Sequence, residues 1–206
     1  ISGLQRDYER LWEVWGGLRT CPMGAAAFTG TSFPINTHRI SELLGFDKPL
    51  HHSLDAVASR DYVLAFLAAI SILTVTLGRL IQDLYVWSTL EFGFIRLDPR
   101  ITGISSIMPQ KENPVVLERC RSKAAHIVGA YIDAFVAMKG TGFMHSQDIS
   151  IDSVAPIWEA ATDSQAMVEI ITEVVGSLQF DIQRMADSSN LGYTTATEIA
   201  DLFVRD

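Results

Sequence analysis

Basic runs are missing from this 206-residue sequence: 16 Lys and Arg stand against 24 Asp and Glu, a formal charge of −8. No stretch interleaves cations with aromatics, which excludes a nucleic-acid footprint. Cysteine is nearly absent too, and the two present, Cys21 and Cys120, fit neither a metal-ligand spacing nor a disulfide framework. They read as ordinary thiols of a cytoplasmic protein. Charged residues make up only 19% while hydrophobic ones reach 48%. A chain that apolar is expected to hide surface by self-association. The opening ISGLQRDYER is charged and amphipathic, which is not the pattern of a signal peptide. Tyr62 to Gly78 carries no charge, yet its threonines and its continuation into Arg79 and Asp83 favour a helix buried in a bundle over a membrane span.

What is present is helical periodicity. Leu4, Tyr8, Leu11, Trp12, Trp15 and Leu18 recur at helical spacing, predicting an amphipathic helix over residues 3 to 19. Residues 20 to 37 lack periodicity and read as a structured loop. A short helix from Thr37 to Leu44 is stopped by Gly45. From Ser59, as N-cap, a helix of some 30 residues runs to Phe92, about 45–50 Å long. Asn113 and Pro114 open the next as N-cap and first residue, and it continues to Gly140. Another covers 154 to 186, and Thr195-x-x-Glu198 has the form of a capping box opening a last one. Both ends read as cuts through a larger protein. The expected fold is all-α, a long-helix bundle shared between subunits, because such helices cannot bury their faces in so small a monomer. Residues 1–186 form its central domain and 187–206 the start of a small C-terminal helical domain.

The loop ITGISSIMPQKENP, residues 101–114, is longer than most helix–helix connections. Serine is a poor base unless its alkoxide is stabilised by N–H groups, a helix dipole or a cation. Here Gly103 permits unusual backbone angles, Pro109 and Pro114 stiffen the loop, and Lys111 supplies the cation before a helix start. Such a site suits proton abstraction beside a carboxylate. The residue types alone leave a second reading open, a Ser-rich turn with capping serines and a surface lysine.

Residues 105–114, SSIMPQKENP, resemble the signature loop G-S-S-x-M-P-x-K-x-N-P of the fumarase/aspartase superfamily, with Gln110 favouring its argininosuccinate lyase branch. GTSFPI at 30–35, SELLGF at 41–46, SLDAVASRDYVLAFL at 53–67 and the ending GYTTATEIADLFVR agree in order. The resemblance implies a homotetrameric lyase acting on a small dicarboxylate without cofactor or metal, each active site drawing on three subunits. It implies Ser105 as the base, Lys111 and Asn113 as holders of the carboxylate, and Glu118 as the group orienting a general-acid histidine. Ser106, which chiefly shapes the loop, Met108, Gln110, His52 and His145 are the expected substrate contacts. The family's H-T-x-x-Q histidine motif does not occur among these residues, and His126 reads as structural.

Several positions depart from the family pattern. Ile104 stands where the family has glycine. His145, Ser150 and Ser153 replace a tyrosine, a glutamine and a lysine, and Asn36-Thr37 replaces Asp-Arg. Such losses should not preserve a guanidino-dicarboxylate site. The expected activity is therefore elimination of an amine from an N-substituted aspartate to release fumarate, with altered substrate contacts. The alternative is a non-catalytic helical scaffold derived from the same fold.

Overall fold

Apolar residues at helical spacing become eight α-helices in the computed structural model, which describes residues 2–108 and 110–205. They are α1 (Ser2–Gly17), α2 (Thr37–Leu44), α3 (Ser53–Ala58), α4 (Asp61–Trp87), α5 (Val115–Met138), α6 (Pro156–Ser177), α7 (Ile182–Ser189) and α8 (Ala196–Arg205). Six two-residue strands punctuate them: β1 (Thr20–Cys21), β2 (Lys48–Pro49), β3 (Ile95–Arg96), β4 (Gly103–Ile104), β5 (Glu112–Asn113) and β6 (Gln179–Phe180). β1 and β2 pair in parallel, β3 with β6 and β4 with β5 antiparallel. The all-α expectation holds.

The chain divides into two compact units, one built from residues 1–78 and 121–168, the other from 79–120 and 169–206. In the first, Val63, Leu67 and Ile70 of α4 meet Ile127 and Ala134 of α5 and Ala160 of α6. The spacings i, i+4, i+7 on α4 and i, i+7 on α5 put each set on one helix face, so one stripe per helix is removed from water. Leu11 of α1 packs against this cluster. The rest of the α1 stripe does not follow it inward: Tyr8, Trp12 and Trp15 are exposed, and the buried residue is Asp7, paired with Arg10 at 2.6 Å. α4 is long and apolar enough to cross a membrane by length and composition, with 44% of its most apolar window buried. Its exposed apolar residues include Ile72 and Val75.

Local chemistry explains the helix ends. Asn36 caps α2 by accepting from the Arg39 N–H at 2.9 Å, and Gly45 closes it in the left-handed region at φ 78°. Ser59 does not cap α4. It is extended (φ −78°, ψ 131°), terminates the separate helix α3, and donates its hydroxyl to Asp55 at 2.5 Å. α4 starts at Asp61 and stops at Trp87, five residues before Phe92, where a turn leads to Gly93 at φ 58°. The helix expected over 154–186 is broken as well. α6 ends at Ser177, β6 intervenes, and Asp181 caps α7 by accepting from the Arg184 N–H at 3.0 Å.

Candidate functional site

The loop that drew attention in the sequence is a short hairpin. β4 and β5 pair Gly103 with Asn113 and Ile104 with Glu112, leaving residues 105–111 as its tip. Gly103 is needed for space rather than for unusual angles: a Cβ there would overlap Val115 Cγ2. Asn113 is therefore a strand residue. The first helical carbonyl is that of Pro114, which accepts from the N–H groups of Leu117 and Glu118 at 3.0 and 3.2 Å, so α5 starts one residue later than expected. Pro109, expected to stiffen the tip, lies outside the described residues.

Within the tip, the Ser105 hydroxyl oxygen accepts from two backbone N–H groups, those of Ile107 at 3.3 Å and Met108 at 3.2 Å. The Lys111 N–H closes the turn onto the Met108 carbonyl at 2.9 Å. A half-buried hydroxyl oxygen facing two N–H donors is a place where negative charge is stabilised, because the donors are already oriented. Of the N–H groups, helix dipole and cation that the sequence offered for this help, the loop's own backbone supplies the N–H groups. Ser106 and Met108 are exposed at the same tip.

Gln110, Lys111, Asn113 and Glu118 line one cavity of about 680 Å³ in the second unit, within the usual range for ligand pockets. Ser105, Ser106 and Met108 are not among the described residues lining it. Glu118, in the first turn of α5, accepts from the Tyr85 hydroxyl at 3.4 Å. Sequence reasoning missed Tyr85 and Arg184, which also line the cavity; Arg184 holds the turn after α4. Its guanidinium donates to the carbonyls of Leu90 at 2.8 Å, Glu91 at 2.9 Å and Phe92. Replacing Arg184 with methionine should cost about 1–2 kcal/mol, since charge-assisted bonds are lost from an exposed site. Hydrogen exchange should quicken at the amides of Gly93 and Phe94, which bond to Thr89 and Trp87.

His52 and His145 belong to the first unit and are exposed. His52 occupies the N-cap position of α3 without a side-chain capping bond. His145 precedes a π-helical turn over Asp148–Asp152, a form common at functional positions. Here Ser150 donates to the Ser146 carbonyl at 2.7 Å and buried Ser153 to the Ile149 carbonyl at 2.5 Å. Both hydroxyls satisfy their own backbone. Lys123 pairs with Asp163 at 3.0 Å, and Asp163 lines a groove together with His126 and Asp133. Burial pushes the Cys120 thiol above its ordinary value. Among the described residues, no group of three or more His, Cys, Asp or Glu is placed to hold a metal ion.

A family model described as lyase matches residues 1–129. The chain is 39% identical over 205 residues to argininosuccinate lyase 1 of Shouchella clausii, covering all of this chain and 41% of that protein. It is 38% identical over 205 residues to argininosuccinate lyase of Methanosarcina mazei, covering 100% and 42%. Among solved structures, an EDDS lyase variant with bound fumarate matches at TM-score 0.87 and 32% identity, over 99% of this chain and 40% of that one. A class II fumarase from Schistosoma mansoni shares the fold at TM-score 0.67 and 17% identity, over 97% of this chain and 49% of that one. The chain spans about two-fifths of the length of the curated relatives it matches. It belongs to this lyase family, the fumarase/aspartase superfamily, and to its argininosuccinate lyase-like branch.

Proposed function

We propose that the protein of which this chain is a part is a carbon–nitrogen lyase that eliminates an amine from an N-substituted aspartate and releases fumarate. Ser105 takes the proton from the carbon beside a carboxylate. The electron pair passes into that carboxylate, held by Lys111 and Asn113, and returns to form the carbon–carbon double bond as the carbon–nitrogen bond breaks. The leaving nitrogen takes a proton from a histidine oriented by Glu118 and supplied from outside these residues. Ser106, Met108 and Gln110 of the same hairpin contact the substrate. One observation carries the reading: the Ser105 oxygen sits between two backbone N–H donors on a hairpin whose other residues, Lys111 and Asn113, line a ligand-sized cavity.

The amine half differs from argininosuccinate. In support, the hydroxyls of Ser150 and Ser153 are turned onto their own backbone, where they offer a ligand no donor. The working form is a cytoplasmic homotetramer. Apolar surface left open on the long helices, Ile72 and Val75 on α4 and Ile132, Phe135 and Val136 on α5, supports the self-association in this reading. The complete protein, offered a panel of N-substituted aspartates, should release fumarate from at least one, read as ultraviolet absorbance. Silence across the panel, together with a melting temperature indifferent to fumarate, would leave the scaffold reading.

A further inference from the structure

Glu118 is exposed in the first turn of α5, where the helix start favours a carboxylate. A glutamate so placed, left alone, spreads its carboxylate over several rotamers. Here one group selects among them. Tyr85, half-buried near the end of α4, donates its hydroxyl to Glu118 Oε1 at 3.4 Å. Among the described residues, no other side chain donates to that carboxylate. Tyr85 and Glu118 line the same cavity as Lys111 and Asn113. Helices rather than loops carry both, beside buried neighbours: Ile81 and Leu84 on α4, Leu117 and Cys120 on α5. A phenol is aimed through only two torsions, so little entropy is lost in holding it there. The contact is longer than the usual O–H···O distance of about 2.7–2.8 Å. Hydrogen bonds within catalytic sites are often long before substrate binds and tighten in the complex.

We propose that Tyr85 is a positioning residue of this site: by holding Glu118 Oε1 it fixes the direction of Oε2, which accepts from the general-acid histidine. The inference rests on the lyase reading, in which that histidine comes from outside these residues. An ionised carboxylate accepts at both oxygens, so the phenol occupies one without closing the other. Tyr85 acts only through Glu118. Its hydroxyl removes rotamers in which the carboxylate faces water, and the histidine meets an acceptor already oriented.

Tyr85→Phe removes the donor and keeps the ring. In the complete protein, assayed by fumarate release from an N-substituted aspartate, it should lower kcat about 3–10-fold. KM should stay within about twofold, since no substrate contact is lost, and the melting temperature should be preserved. A cycle with Glu118→Ala separates positioning from packing. In that background Tyr85→Phe should change kcat by less than about twofold, because the group through which it acts is already gone. An unchanged kcat in Tyr85→Phe overturns the assignment. So does the same loss with and without the Glu118 side chain, which would make the two residues independent. The wild type judges the lyase reading separately. A silent wild type removes that reading and this inference with it, whereas an active wild type with an indifferent Tyr85 removes this inference alone.

Discussion

Ser105→Ala should lower kcat of the complete protein by roughly 10²–10⁴-fold, the range a positioned general base supplies, with KM little changed. The reason is local. Only the hydroxyl oxygen is removed, so the hairpin pairing of Gly103 with Asn113 and Ile104 with Glu112 is untouched. Lys111 and Asn113 stay on the cavity wall, so the proposed carboxylate binding is retained. The lost atom is the one to which Ile107 and Met108 donate. Their N–H groups sit on residues open to water, which can take its place, so the stability cost should stay below about 1 kcal/mol. A kcat loss without a melting-temperature loss is the expected pair of results. Near-normal turnover would show that another group removes the proton.

The largest stability effect should come from Leu67→Ala. Leu67 is fully buried, and its neighbours in the cluster, Val63, Ile70, Ile127, Ala134 and Ala160, come from three helices. Helix backbones on several sides cannot collapse onto the vacated volume, so both the transfer and the cavity contributions are lost, about 2–5 kcal/mol in total. For a chain of this size that corresponds to a melting-temperature fall of roughly 5–15 °C. Val75→Ser on the same helix is the contrast: Val75 is 59% exposed, and its replacement should cost less than about 0.5 kcal/mol in the dissociated chain. A larger Val75 cost that grows with protein concentration would mean that a second copy covers that face.

Much of this was legible in the sequence because helix signals are local. Thr37 to Leu44 with Gly45 beyond it came out as read, since a capping glycine and an amphipathic turn need no distant partner. Gln110, Lys111 and Asn113 of the loop singled out in the sequence, with Glu118 of α5, line one cavity. The break after Ser177 was hidden. Leu178 to Asp181 contains no proline or glycine, and what takes it out of helix is pairing with Ile95 and Arg96 far earlier in the chain. Non-local pairing of this kind overrides propensity and leaves no periodic trace. Ser59 misled in another way: as an apt capping residue it ends one helix instead of starting the next.

The clamp by which Arg184 grips the Phe92 carbonyl joins positions 92 residues apart. At about 5–20 residues per second of translation, the earlier partner waits roughly 5–18 s on the ribosome before the later one has even been made. During that interval β3 has no edge to pair with and the bend beyond α4 has nothing to fasten it. In vectorial synthesis this turn sets late, and a nascent polypeptide halted short of α7 carries the β4–β5 hairpin with the bend after α4 still unlatched.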